Sequence, residues 1–183
     1  MREAATKPCD LPFALALFTD PDRLPSILGL VEALPKTVQP LAVIFRHDRL
    51  GEERIPLARE VRQITQERGH QFLMARAELD GADGTHGLGV GAGLRTMPVH
   101  CEEEIVAAIG AGAHAGFLSP IFPTDSHPGD AALGRERAVA LAQASPLPLF
   151  ALGGMDEDSA ENLIGSPFQG FGAIGAFLEE PTL

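Results

Sequence analysis

A chain of 183 residues with 45% hydrophobic composition carries enough apolar surface for one domain with a sizeable core, which excludes a mostly disordered protein. Its formal net charge of −11, with no Lys/Arg cluster, excludes the basic face of a nucleic-acid binder, and no apolar run approaches the roughly 18 residues of a membrane span. Trp and Tyr are absent, so the expected core is aliphatic and rich in small residues.

An acidic surface repels anions at long range, so any phosphate site must act locally, through backbone N–H groups and a few hydroxyl or basic side chains. Cys9 and Cys101 make an unconvincing disulfide pair and no signal sequence precedes them, which points to a reducing, cytoplasmic setting. Residues 1–10 read as a tail and residues 11–183 as a single domain.

Residues 11–18 (LPFALALF) form a continuous apolar run, as expected of a strand buried on both faces, and end at the turn Thr19-Asp20-Pro21. Leu24, Ile27, Leu28 and Val31 then follow at helical spacing, with Pro35 as the stop. Residues 41–45 (LAVIF) are a second buried strand, closed by Arg46-His47-Asp48-Arg49. Residues 53–68 give the clearest helix: Leu57, Val61 and Ile64 line one face, and Gly69 sits where a left-handed C′ residue belongs.

Gln71–Ala75 is a third strand and residues 82–86 a fourth, with too little chain between them for a full helix. The glycine-rich stretch 84–93 (GTHGLGVGAG) could be forced into a dinucleotide fingerprint, but no long helix follows it, so it reads as a loop. Leu94–Val99 is the fifth strand. Glu102, Glu103 and Glu104 then occupy a first helical turn, where the macrodipole favours carboxylates, and Ile105, Ala108 and Ile109 form that helix's buried face.

Residues 114–118 give a sixth strand that runs into a Pro/Gly-bearing polar loop, in which Thr124, Ser126 and His127 are candidates to face a bound anion. A helix over Arg135–Ala144 and a strand over 148–152 follow. Asp158 and Glu161 suggest a capping box on a helix reaching Gly165, residues 170–174 make the last strand, and a short apolar end follows at 176–178. Eight strand candidates alternating with helices predict a compact (β/α)8 TIM barrel with a shortened or missing third helix, an open doubly wound sheet being the alternative. The barrel is favoured by the glycine-bearing turns Gly153-Gly154 and Gly172/Gly175, because barrels often bind phosphate with the loops after strands 7 and 8.

The motifs, in order, resemble those of the thiamine phosphate synthase / TenI family. GFLSPIFPTDSHPG is similar to its GPIFPTxTKxG signature, ALGGM at Ala151–Met155 to AIGGI, ADGTH at Ala82–His86 to ADGVH, and PVHCEEE at Pro98–Glu104 to SxHxxEE. FTD, IFR and GFGAIGAF match strand ends one, two and eight. The resemblance implies a TIM barrel that couples hydroxymethylpyrimidine diphosphate with thiazole phosphate. In TenI-like members it implies instead the tautomerisation of a thiazole carboxylate phosphate.

Carried over by position, Gly153, Gly154, Ile174 and Gly175 would hold the thiazole phosphate, while Thr124, Ser126 and His127 would contact diphosphate or thiazole groups. Arg46 would lie near the diphosphate, and His100 would serve as a metal-free acid/base in the TenI reading. The family expectation of Mg²⁺ meets departures here. Ala75-Arg76 stand where synthases carry Asn-Asp, GLGVGAG offers no second carboxylate, Asp48 falls where a Lys is expected, Pro98 replaces a Ser and His127 a Lys. A register shift would bring Glu78 or Asp80 toward the metal position instead.

Each candidate also has a plain structural explanation. Gly153-Gly154 could simply be a tight turn, Thr124 and Ser126 turn formers, Arg46 a salt-bridge partner of Asp48, and His100 a loop-end or capping residue. His47 and His86 are expected to be structural or exposed, and the histidine spacings match no zinc motif. Asp20 and Asp83 read as hydrogen-bonding residues at turns or barrel ends rather than as an acid/base pair. The expected partners are small phosphorylated heterocycles, and the missing third helix leaves apolar barrel surface that a second copy could bury. A non-catalytic barrel that binds phosphorylated thiazole or thiamine phosphate is the third reading.

Overall fold

A computed structural model describes residues 11–24, 26–36, 39–124 and 131–174. Eight parallel strands close into a barrel in sequence order. They are β1 (Leu15–Phe18), β2 (Ala42–Phe45), β3 (Gln71–Ala75), β4 (Gly84–His86), β5 (Leu94–Val99), β6 (Ala115–Leu118), β7 (Leu149–Ala151) and β8 (Gly170–Ala173). Closure is sealed by β1 against β8, with Ala16 level with Gly172. The barrel reading therefore holds and the open sheet does not.

The helices are α1 (Ile27–Ala33), α2 (Arg54–Glu67), α3 (Glu102–Gly110), α4 (Arg135–Ala144) and α5 (Glu157–Glu161), with a 3-10 segment at Asp48–Glu53 leading into α2. Ser26 caps α1 by accepting from the Gly29 N–H. Gly69, at φ 85, ends α2 as its position suggested. The cap of α5 differs from expectation: Asp156 and Ser159 make the reciprocal capping box, and the helix stops at Glu161. On α3, Ile105 and Ala108 are buried but Ile109 is 41% exposed.

Helices are missing from two successive crossovers, residues 76–83 and 87–93, as the short first crossover and the loop reading of the glycine-rich stretch imply. Close backbone contact replaces them. The Leu94 N–H donates to the Asp83 carbonyl at 2.9 Å, and a Cβ on Gly93 would stand 2.2 Å from that same oxygen. Glycine is therefore required at that position. The second crossover folds back over the outer face of β4, where Thr85 Oγ1 donates to the Val90 carbonyl, and Arg95 ties it down by donating to the Gly91 and Gly112 carbonyls.

The barrel interior departs from the aliphatic expectation. Phe13, Phe18, Phe117 and Phe150 fill it together with Ala16, Ala42, Ile44, Leu73, Ala75 and Ala115. Phe18 meets Phe117 edge-on at 4.9 Å and Phe117 tilts against Phe150 at 5.1 Å. The small residues make this possible: a Cβ on Gly172 would lie 2.7 Å from Phe18 Cε2. Rings therefore fill the volume that alanine and glycine leave open. Outside, Leu17, Val43, Phe45, Phe72 and Met74 pack under α1 and α2, and Val99, Leu118, Leu149 and Ala151 under the helices of the second half.

Candidate active site

The carboxyl ends of the strands gather the polar residues. At the ends of β1 and β2, the Thr19 N–H donates to the Ile44 carbonyl and its hydroxyl accepts from the Arg46 N–H at 2.9 Å. That exchange fixes the backbone from which the Arg46 side chain leaves. Its guanidinium lies over the Phe18 ring at 5.7 Å, and Nη2 reaches Asp20 Oδ2 at 3.4 Å. Burial pulls the proton affinity of Arg46 down, Asp20 partly restores it, and Arg76 lowers it again. An arginine remains charged regardless, so this is a desolvated cation with one stretched ion pair.

The partner of Arg46 is thus Asp20 and not Asp48. The 3-10 turn swings Asp48 toward the next strand, where Oδ1 meets Arg54 Nη2 at 2.6 Å and Oδ2 accepts from Arg76 Nε at 2.8 Å. Arg54 also donates to the Ala75 carbonyl at 2.5 Å, which locks it between β2 and β3. Arg76 has φ 53, and among the described residues it is the one non-glycine in the left-handed region. Its N–H still donates to the His86 carbonyl, stitching β3 to β4. Neither Arg54 nor Arg76 was singled out from sequence as a site residue. For Arg76 the signal available was a cation placed directly after the apolar run 72–75.

His47 and His86 are both buried. His86 lies among Phe18, Phe117 and Thr96, its Nδ1 3.0 Å from Thr96 Oγ1. Thr96 donates its own hydrogen to the Thr85 carbonyl, which leaves the oxygen to accept from Nδ1–H. Burial, and then Arg46 and Arg76, push the His86 pKa down to about 3. It is a neutral structural ring. His47 stacks on Phe45 at 4.5 Å and 11°, and burial lowers its pKa too.

His100 is exposed, at the end of β5. Its N–H donates to Glu104 Oε2 at 2.7 Å, which ties the start of α3 back onto the strand end. The ring Nδ1 is 2.5 Å from the Ser119 carbonyl, and a carbonyl can only accept, so Nδ1 carries the hydrogen. Nε2 of the neutral ring is then the basic nitrogen, the form a general base needs. Asp20 and Asp83 behave as the turn and barrel-end residues expected. Asp20 Oδ1 accepts from the Asp22 N–H, and Asp83 Oδ2 from the Phe72 N–H and Gln66 Nε2.

After β7, Gly153 (φ 88) and Gly154 (φ 64) turn the chain sharply. The turn packs against the loop that follows β6: a Cβ would stand 2.7 Å from Pro120 Cα at Gly153 and 2.6 Å from the Pro123 carbonyl oxygen at Gly154. Steric need alone therefore accounts for both glycines. Their N–H groups make no hydrogen bond among the described residues, whereas the Gly153 carbonyl accepts from Phe122 at 3.1 Å. Thr124 is half-buried on the adjoining loop and Ile174 half-buried just past β8. Ser126, His127 and Gly175 lie outside the described residues.

The rim does not fit the divalent cation that the resemblance implies. Among the described residues at the ends of β1 and β2, Asp20 and Asp48 are already engaged by arginines. Ala75-Arg76 do follow β3, whose Met74 is level with Phe45 of β2. Glu78 points elsewhere: its Oε1 would be 3.0 Å from a Cβ on Gly91, in the crossover that covers the outside of β4. No group of three or more potential metal ligands forms among the described residues. A cavity of about 430 Å³ opens at the opposite end of the barrel, lined by Leu11, Phe13, Gln39, Gln169 and their neighbours, with no titratable side chain in its wall.

Comparison with known proteins gives this rim its context. The family model described as thiamine monophosphate synthase matches residues 96–177. The thiamine-phosphate synthase of Methanoregula boonei is 32% identical over 149 residues, spanning 69% of this chain and 67% of that protein. The chain belongs to the thiamine-phosphate synthase family. The thiamine-phosphate synthase of Thermosynechococcus vestitus is also 32% identical, over 170 residues, 82% of this chain but only 47% of its own length. The chain thus spans about half of that relative. Among solved structures, a thiamine phosphate pyrophosphorylase from Pyrococcus furiosus superposes with a TM-score of 0.73 at 21% identity, covering 90% of this chain and 87% of that one. One from Bacteroides thetaiotaomicron gives 0.58 at 17% identity, covering 93% and 88%. These two share the family's barrel. No helix among the described residues is long and apolar enough to cross a membrane.

Proposed function

We propose that this member of the thiamine-phosphate synthase family catalyses the coupling step of thiamine biosynthesis, joining hydroxymethylpyrimidine diphosphate to thiazole phosphate. In that reaction the thiazole nitrogen attacks the pyrimidine methylene carbon, the carbon–oxygen bond to diphosphate breaks, and pyrophosphate leaves with the electron pair. The observation that carries the reading is the division of the rim into two anion-seeking halves. Gly153 and Gly154 offer amide hydrogens without partners among the described residues on one side. Arg46 and Arg76 stand on the other. A phosphate seated on the glycine turn, with Thr124 beside it, would leave the thiazole ring to lie across the mouth; Ser126, His127, Ile174 and Gly175 complete the set that family position assigns.

The residues' chemical work is binding and charge neutralisation. The leaving group is already an anion, so the reaction needs its negative charge stabilised more than it needs a proton moved. Purified protein given the two phosphorylated precursors is expected to release pyrophosphate and form thiamine phosphate in step. Pure substrates that yield no product under any metal condition overturn the reading.

His100 supports a second reading, a TenI-like thiazole tautomerase. Its Nδ1–H is held by Ser119, so an exposed Nε2 is set to take and return a proton. In that case His100→Ala abolishes isomerisation of the thiazole carboxylate phosphate yet leaves its affinity intact. If His100→Ala isomerises at the parental rate, the tautomerase reading falls. A non-catalytic binder would be stabilised by either phosphorylated ligand and turn over neither.

A further inference from the structure

We propose that Arg46 and Arg76 form a metal-independent clamp for a diphosphate group, with Asp48 as the positioning residue that aims Arg76. This rests on the coupling reaction proposed above and assigns its diphosphate end to guanidinium groups rather than to a cation.

The charges at the ends of β1, β2 and β3 make the case. A divalent cation needs several oxygen ligands, and carboxylates already surrounded by guanidiniums set it among like charges. Asp20 is committed to Arg46 and to the Asp22 N–H. Asp48 is committed through one oxygen to Arg54 and through the other to Arg76. Adding a cation would set it against three guanidiniums. An anion meets the opposite field, and the two half-satisfied arginines have hydrogens to give it. Arg46 uses one Nη2 contact at 3.4 Å, and Arg76 binds a single oxygen of Asp48 through Nε and Nη2. Arg54, by contrast, is spent on Asp48 and on the Ala75 carbonyl.

The backbone supports the assignment independently. At φ 53, Arg76 holds a conformation that an L-residue adopts at some cost and glycine adopts freely. The neighbouring turns fill such positions with glycine, at Gly81, Gly87, Gly91 and Gly93. The arginine side chain there is 59% exposed and is held by Asp48 rather than by burial. Arg46 is the complement, 25% exposed and backed by Phe18. The two cations leave neighbouring strand ends, since β2 pairs with β3 and Phe45 is level with Met74. Two fork-shaped donors on adjacent strand ends suit the several oxygens of a diphosphate.

The test titrates inorganic pyrophosphate into the full chain in the presence of EDTA, read by calorimetry and by the shift in thermal midpoint. Wild type is expected to bind. Arg76→Gly relieves the left-handed backbone and so folds at least as well, yet binding should weaken about tenfold or more, the usual scale for a charge-assisted pair. Asp48→Asn should weaken binding less, and Arg46→Ala at least as much as Arg76→Gly. Binding that appears only when Mg²⁺ replaces EDTA overturns the clamp, as does an Arg76→Gly variant that binds like wild type. The outcome is separable from that of the coupling assay. Pyrophosphate binding without turnover leaves the clamp standing and removes the synthase reading, whereas turnover with no pyrophosphate binding in EDTA does the reverse.

Discussion

Acid should unfold this barrel early, and His86 sets part of the reason. The ring is 5% exposed, packed between Phe18 and Phe117, with its Nδ1 hydrogen on Thr96. Burial and the nearby Arg46 and Arg76 hold its pKa at about 3, against about 6.5 in an unfolded chain. The folded state therefore refuses a proton that the unfolded state accepts. The stability this site contributes is complete above about pH 6.5 and is lost progressively as pH falls from there toward about 3. Over the two units from 6.5 to 4.5 the loss is about 2.7 kcal/mol, at roughly 1.36 kcal/mol per unit. The assay is urea unfolding across that range for wild type and for His86→Asn, which cannot titrate there. The variant will be less stable at every pH because it loses the ring contacts, so the slopes carry the test. Wild-type stability should fall with acid more steeply than the variant's, by close to one proton. His47 and His70 are shifted in the same direction, but their contribution is common to both proteins and cancels. Parallel slopes, or an imidazole of His86 titrating near 6.5 in the folded protein, would refute the reasoning.

Two substitutions test other parts of the frame. Gly154→Ala puts a Cβ 2.6 Å from the Pro123 carbonyl oxygen at a φ of 64, so the β6 and β7 loops must part; a loss of about 1–3 kcal/mol in chemical denaturation, with weaker binding of thiazole phosphate, is expected. Asp83→Ala strips the acceptor from the Phe72 N–H, 2.8 Å away at the start of β3; it should cost about 1–3 kcal/mol while pyrophosphate affinity at the far rim is unchanged. An Asp83→Ala protein as stable as wild type would mean that the N–H finds another acceptor.

The strands were legible because their apolar runs are bracketed by glycine, proline and charge. Gln71–Ala75, Leu94–Val99 and Arg135–Ala144 have the bounds that their punctuation implies. Pairings between side chains were not legible. Asp48 is two residues from Arg46 and looked like its partner, but the 3-10 turn at Asp48–Glu53 carries it across to β3, while Asp20 comes from another strand end altogether. The cap of α5 went wrong for a similar reason: Asp156-x-x-Ser159 and Asp158-x-x-Glu161 are equally good patterns, and only the three-dimensional turn after Gly154 decides between them. The aromatic interior was hidden because composition counts phenylalanines but does not say which alternate positions share the barrel's inside with alanine and glycine. Of the site, the family's order of motifs put Arg46, His100, Thr124, Gly153, Gly154 and Ile174 on strand ends or the loops beyond them, while the fate of the metal-position residues needed the ion pairs to be seen.

Those ion pairs also indicate how an acidic protein could present the anion site proposed above. The chain carries 25 acidic against 14 basic side chains, yet at the ends of β1–β3 Arg46, Arg54 and Arg76 gather around Asp20 and Asp48. Much of the excess acid lies on exposed helical positions such as Glu102 and Glu103, where solvent and salt screen it. At the rim the charges face a mouth floored by Phe18 and Phe117, where low polarity strengthens short-range attraction. Local field and net charge can therefore have opposite signs. The aspartates are part of that design rather than opposed to it, because each restrains a long flexible cation and lowers the entropy that a ligand would otherwise have to remove. A carboxylate used in this way has fewer lone pairs left for a divalent ion, which would also meet the neighbouring guanidinium charge. Holding arginines in place and binding a metal compete for the same two residues, and in this chain Asp20 and Asp48 are paired with arginines.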